Sequence, residues 1–193
     1  MAIVSSTILH LKYGDFKTSY HRSRYGECVS FTLGDNKKII PIVRFHSACL
    51  FGEAFFSNHC DCGQQLSQTL QKIKKHGSGI VVYGFDEGRG IGLEKKIKSM
   101  GLEQSQKLNT VEAFKKLGYE KHDYRNYKKE IQALKDLDVC EEILLVSNNP
   151  DKIKALKDAG YAIKKHIKLR IKINKYNKNE LMLKRDKLNY YID

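Results

Sequence analysis

The hydrophobic pattern changes period once along the chain. Through residues 2–46 apolar side chains alternate or cluster in short runs, TILHLKY, ECVSFTL and KKIIPIVRF, separated by Tyr13-Gly14-Asp15 and Leu33-Gly34-Asp35-Asn36. Successive side chains on a strand point to opposite faces, so this stretch predicts an antiparallel β section. From Gln64 the spacing lengthens. Leu66, Leu70 and Ile73 fall on one helical face, and Gly77 stands where a C-terminal cap would end the helix. GIVVYGF follows, a continuous apolar run of the buried-strand kind. It leads into Asp86-Glu87-Gly88-Arg89-Gly90-Ile91-Gly92 and then a helical Leu93-Glu94-Lys95-Lys96-Ile97.

The alternation continues beyond that loop. Thr110 opens a helix over TVEAFKKLG that stops at Gly118, residues 120–126 form a polar loop, and residues 127–137 are amphipathic. EEILLVS reads as a strand. Asn149 followed by Pro150 is an N-cap with proline at the first helical position, that helix ends before Gly160, and YAIKKHIKL reads as a last strand. Strands alternating with helices imply a mixed or parallel sheet covered by helices. The expected fold class is therefore α/β: an N-terminal antiparallel β section leading into a mixed sheet flanked by helices, in a single domain. The expected division is a body over residues 1–170 and a basic tail over 171–193, whose polarity gives no element.

Composition narrows the setting. Of 193 residues, 41% are hydrophobic, enough for a packed core, and no apolar run reaches the length of a membrane span. The first residues have no basic segment or small-residue cleavage site, so no secretory signal is expected and the cytoplasm is the expected address. Five cysteines, with Cys28 and Cys140 isolated, favour a reducing compartment and metal over a disulfide framework. The net charge of +13 comes mostly from lysines spread along helices, where they would be solvated, so a nucleic-acid partner is not expected. The densest basic run, residues 164–187 with Tyr176 and asparagines interleaved, reads as an exposed tail. A polyphosphate ligand would benefit from the same field.

The candidate chemistry begins at Cys49-x10-Cys60-x-Cys62-Gly63. Three thiolates can hold a zinc ion with an open fourth position if residues 50–59 make a compact excursion. Two other readings stay open: buried thiols packing as small hydrophobes, and a closed site with His46 or His59 as fourth ligand. Glycines 88, 90 and 92 allow backbone N–H groups to approach a phosphate or purine, with Glu87 and Arg89 inside the loop. Ser147 to Lys152 spans a strand exit and a helix start, where anions collect; a lysine in that first turn makes better sense with an anion nearby. Asp123 and Arg125 offer a proton acceptor and a phosphoryl clamp.

In order along residues 12–160, VRFHSACL, CDCGQQL, DEGRGIGL, Lys96-Ile97, TVEA, LGY, Asp123-Tyr124-Arg125 and SNNPDK resemble the GTP cyclohydrolase II family, which commits GTP to riboflavin synthesis. LKRDKL echoes the family's ending. The resemblance implies a hydrolase that opens the guanine imidazole ring of GTP, with loss of pyrophosphate and formate. The product would be 2,5-diamino-6-(5-phosphoribosylamino)pyrimidin-4(3H)-one. It implies one catalytic zinc per chain on Cys49, Cys60 and Cys62. GTP would lie among Arg44, Phe45, His46, Ser47, Ala48, Gln65, Glu87, Gly88, Arg89, Thr110, Ser147 and Lys152. Asp123 would be the proton acceptor. Arg125 would sit at the α-phosphate, where a guanidinium that stays protonated suits a clamp better than a nucleophile. Mg²⁺ is expected for the pyrophosphate step, and a homodimer is implied.

Several positions depart from the family pattern. Met100 stands where the family has tyrosine, and a thioether cannot donate a hydrogen bond; a variant stopping at the formamidopyrimidine nucleotide, serving another pathway, is the alternative. Ala48, Phe51 and Ser147 replace an acidic residue and two threonines, Glu180 and Leu183 replace Tyr and Thr, and Asn189-Tyr190 replaces Gly-His. A zinc-stabilised RNA-binding protein on a dead scaffold is a further alternative, disfavoured because every cysteine and the Asp123/Arg125 pair survive.

Overall fold

The computed structural model of the chain describes residues 3–192. Its strands are β1 (Ile3–Leu11), β2 (Gly14–Ser23), β3 (Gly26–Leu33), β4 (Ile42–Ser47), β5 (Gly79–Gly84), β6 (Glu142–Val146) and β7 (Ala162–Ile167). They form one sheet in the order β1-β2-β3-β5-β4-β6-β7. The first three strands pair antiparallel, as does β3 with β5; β5, β4, β6 and β7 are mutually parallel. The helices are α1 (Leu50–Glu53), α2 (Cys62–His76), α3 (Leu93–Gln106), α4 (Thr110–Lys116), α5 (Lys128–Asp136), α6 (Pro150–Asp158) and α7 (Lys178–Leu188). The expected α/β class with a mixed sheet is what the chain adopts.

Period-two burial places a core on each face of the sheet. Val43, Phe45, Ile80, Val82, Ile143 and Leu145 face α5 and α6 through Ala133, Leu134 and Leu156. Ile42, Val81 and Val146 point the other way, against Leu70 and Ile73 of α2 and Phe16 of β2. Gly77 caps α2 with φ of 85°, a left-handed turn that costs glycine nothing. Asn109 caps α4 in a capping box with Glu112, and Asn149 caps α6 ahead of Pro150.

Three details differ from the sequence pattern. The KKIIPIVRF run does not belong to the antiparallel section: β4 starts after Pro41, which has no N–H to give, and runs parallel to both neighbours. β2 lies outside the apolar runs because two of its three buried positions are polar, Ser19 and His21. His21 is accommodated by the Ser30 hydroxyl at 2.8 Å. Residues 164–187 are not a solvated tail throughout: α7 buries Leu181, Leu183 and Lys184 within that run, and Leu188 just after it.

The strand order also positions the site. The connection from β4 leads to β5 on one side, and the next connection returns across β4 to β6 on the other. The carboxyl ends of β4 and β6 therefore flank a topological switch point, where ligands of open α/β sheets bind.

Candidate active site

Cys49 follows β4 directly and caps α1, its sulfur accepting from the Gly52 N–H at 3.4 Å. Cys60 and Cys62 flank Asp61 at the start of α2. The three sulfurs lie within 4.8 Å of one another, and those of Cys49 and Cys60 are 3.6 Å apart. Thiolates about 2.3 Å from one tetrahedral zinc stand roughly 3.8 Å from each other, so the trio fits the ion. A Cβ on Gly52 would come within 2.6 Å of the Cys60 sulfur and 3.3 Å of the Cys49 sulfur, so only glycine leaves this cradle open.

Neither histidine completes a closed site. Arg44 Nε donates to His46 Nδ1 at 3.1 Å, so Nε2 carries the proton and donates to Glu53 at 3.0 Å. His59 lies tilted against Tyr176, with centroids 5.7 Å apart. Among the described residues, the group of potential ligands at this point is the three cysteines.

The thiols share their protons unequally. Cys49 is held well below the ordinary thiol value by hydrogen bonds from Cys60 and Cys62 and by the Lys96 charge. Cys60 is pushed up to about 11, chiefly by its bond to Cys49, and Cys62 is raised as well. Lys96 Nζ stands 3.2 Å from the Cys49 sulfur and 2.7 Å from a Glu87 oxygen.

A chain of buried and partly buried polar groups backs the sulfurs. Glu53 accepts from the Cys49 N–H at 2.9 Å, from His46, and from the Tyr83 hydroxyl at 2.8 Å. His46 leads to Arg44, Arg44 donates to Gln65, and Gln65 donates to Asp61. Lys184 of α7 closes the line, 2.9 Å from Asp61. Burial pulls the Arg44 guanidinium down to about 10 and the His46 imidazole down to about 4. In front of the sulfurs lies a cavity of about 360 Å³, walled by the ends of β4 and β6, the glycine loop, α3, α4 and α7.

The family model described as GTP cyclohydrolase II matches residues 2–168. The chain belongs to the GTP cyclohydrolase II family. It is 42% identical over 191 residues to the riboflavin biosynthesis protein RibBA of Aquifex aeolicus, covering 97% of this chain and 46% of that one. It is 41% identical over 165 residues to the GTP cyclohydrolase-2 of Shewanella amazonensis, covering 85% and 79% respectively. To that of Shewanella pealeana it is 38% identical over 190 residues, covering 97% and 90%. The chain thus spans about half the length of RibBA relatives such as that of Aquifex aeolicus. RibBX of A. baumannii, a two-domain 3,4-dihydroxy-2-butanone 4-phosphate synthase, superposes with a TM-score of 0.43 at 16% identity over 88% of this chain and 40% of that one, too loose a likeness to bear on the site.

In this GTP cyclohydrolase II family member, Arg44, His46, Ser47, Ala48, Gln65, Glu87, Gly88, Arg89, Thr110, Ser147 and Lys152 line the cavity together with the cysteines, Met100 and Arg125. Two expected residues stand apart. The Phe45 ring is in the core, and only its carbonyl reaches toward the site, accepting from Lys152 at 2.8 Å. Asp123 lies beyond Arg125 beside a separate shallow depression with Asn126 and Asp151. Burial works to raise the Asp123 carboxyl, but the bidentate Arg125 holds it below its ordinary value. Arg125 also donates to the Ser47 hydroxyl at 3.1 Å.

Other expected residues are already engaged. Glu87 accepts from the Leu50 N–H at 2.7 Å and the Gly88 N–H at 3.1 Å besides Lys96. Arg89, at φ 58°, donates to Glu180 at 2.7 Å, and Thr110 donates to the same carboxylate at 3.0 Å. The Lys152 ammonium, sunk in the helix start, is pulled well down by burial and by Arg125 and Arg44. Sequence reasoning did not single out Glu53, Asp61, Tyr83, Lys96 or Lys184 as site residues. Lys96 and Lys184 did lie in the family-like stretches Lys96-Ile97 and LKRDKL, but nothing in the sequence tied them to the sulfurs.

Proposed function

We propose that this chain is a zinc-dependent GTP cyclohydrolase of riboflavin biosynthesis, opening the guanine imidazole ring of GTP and releasing formate and pyrophosphate to leave the diaminopyrimidine nucleotide. One observation carries the reading: the three sulfurs open into the same cavity as Arg44, Gln65, Arg125, Lys152 and the glycine loop. Cys49, Cys60 and Cys62 would hold the zinc ion, which supplies Lewis-acid activation of water at neutral pH.

The chain's own groups do the rest. Glu87 offers an acceptor to the N1–H and 2-amino edge of guanine, and the positive-φ turn at Gly88 and Arg89 lets that edge approach the backbone. Arg125, preset by Asp123 and Ser47, offers the α-phosphate its charge and the N–H groups those partners leave free. Arg44 and Arg125 bring positive charge toward the triphosphate, and Lys152, its ammonium destabilised by burial beside them, would regain its charge as the anion binds. Asp123, kept ionised by Arg125, is the proton acceptor of this scheme. Mg²⁺ brought with the triphosphate would add charge neutralisation for pyrophosphate loss. In this reading residues 1–170 are the catalytic body, to which 171–193 add wall. A cytoplasmic address, read from the cysteine usage, and the homodimer implied by the family go with this proposal. Among the described residues no helix is long and apolar enough to cross a membrane.

A second reading turns on Met100, which lines the cavity where the family has tyrosine. A thioether relays no proton, so on this reading hydrolysis halts at the formamidopyrimidine nucleotide. Incubation with GTP, Zn²⁺ and Mg²⁺, followed by mass identification of products and a formate assay, tests both. One formate per pyrophosphate supports the complete reaction, a retained formyl group supports the second, and an unchanged purine overturns both.

A further inference from the structure

Asp61 occupies the N-cap of α2, where an aspartate ordinarily accepts from the helix's free N–H groups, yet its side chain makes no such bond. Its carboxylate is turned inward instead. One oxygen accepts from Lys184 at 2.9 Å and the other from Gln65, leaving the residue 1% exposed. Lys184 reaches this point from α7, packed there by buried Leu181, Leu183 and Leu188, and lies 3.5 Å from Glu180 on its own helix. Burial works against its charge, but Asp61 and then Glu180 hold its pKa above the ordinary lysine value.

Asp61 is bonded directly to Cys60 and Cys62, so a rotation of its backbone carries both sulfurs. A buried carboxylate that loses the cation bonded to it must move, recruit water or take up a proton. We propose that Lys184 is a positioning residue for the sulfur trio: from α7 it locks Asp61, and through Asp61 it sets the angle at which Cys60 and Cys62 face Cys49. The buried line from Asp61 through Gln65, Arg44, His46 and Glu53 to the Cys49 N–H then ties the two halves of the trio into one frame. Outer partners of this kind commonly change metal affinity about 10- to 100-fold.

Lys184 also lines the cavity, so direct contact with a substrate phosphate is the competing role. Zinc affinity measured without GTP separates the two. Zinc is titrated against a chromogenic chelator for the unmodified protein, Lys184→Met, Lys184→Arg, Asp61→Asn and the double variant Asp61→Asn/Lys184→Met, with circular dichroism reporting the fold. The expected result is zinc bound about 10- to 100-fold more weakly by Lys184→Met, largely restored by Lys184→Arg, and weakened no further in the double variant than in Lys184→Met. Should Lys184→Met not fold, the near-isosteric Asp61→Asn decides in its place: weakened zinc supports the inference, and unchanged zinc overturns it. Unchanged zinc affinity in Lys184→Met with a raised KM for GTP, or additive losses in the double variant, also overturns it. The inference rests on the zinc reading of the trio. An unmodified protein that takes up no zinc overturns both, whereas tight zinc in it and in Lys184→Met overturns this one alone.

Discussion

The ammonium of Lys96 stands between the Cys49 sulfur at 3.2 Å and the Glu87 carboxylate at 2.7 Å, so a single cation joins the sulfur trio to the glycine loop. The same ammonium lies over the Phe51 ring, with Nζ 4.9 Å from the centroid. Lys96→Met leaves Glu87 without its cation and removes positive charge beside the sulfur. Turnover of GTP at saturation should fall about 10- to 100-fold, read from steady-state rates. Rates equal to those of the unmodified protein would remove Lys96 from the site.

Gly52→Ala places a methyl carbon 2.6 Å from the Cys60 sulfur. The sulfurs must separate to admit it, so the variant should purify with little or no zinc. Gly77→Ala is the matching control. It strains a left-handed cap at φ 85° with open space around it, and should cost about 1 kcal/mol in urea unfolding with the same metal content as the unmodified protein. Metal analysis of the two variants side by side checks the contrast.

His46 makes stability depend on pH in a stated window. Burial lowers its pKa to about 4, from about 6.5 in an unfolded chain. Above that unfolded value the ring is neutral in both states. As pH falls toward 4 the unfolded chain binds the proton first, so stability is lost across this window, by roughly 3 kcal/mol at its end. Denaturant melts of the protein and of His46→Gln from pH 7 to 4 should show the slope flattening in the variant.

Asn149 does two jobs with one side chain. Its oxygen caps α6 through the Asp151 N–H at 2.8 Å, and its amide donates to the hydroxyls of Tyr127 at 3.1 Å and Tyr190 at 2.8 Å. Asn149→Ala should cost about 2 kcal/mol, the cap plus the buried Tyr127 hydroxyl left unpaired. Asn149→Asp keeps the cap and should recover part of the loss, as a urea titration of the three proteins would show.

What the residue pattern revealed, and what it hid, follows from the range of the forces involved. Gly77, Asn149-Pro150 and the GIVVYGF run are local signals, and each element lies where they place it. The cysteine spacing was legible for the same reason, because short loops bring Cys49, Cys60 and Cys62 together. β2 escaped because its inward Ser19 and His21 are polar, and their burial is licensed only by partners such as Ser6 and Ser30 on neighbouring strands. α7 escaped because its charges look solvated until Arg89, Thr110 and Asp61 are seen around Glu180 and Lys184. Such pairings join distant segments, and composition in a window cannot report them.

Asp61 and Lys184 are separated by 123 positions. A ribosome therefore delivers all three thiols to the cell well before the ammonium that steadies their neighbour. Until that long closure is made, a nascent chain competes for metal ions with loosely held sulfurs, and any preference imposed by fixed geometry arrives only after α7 docks. If the trio takes zinc as proposed, metal choice would follow folding order as much as ligand chemistry.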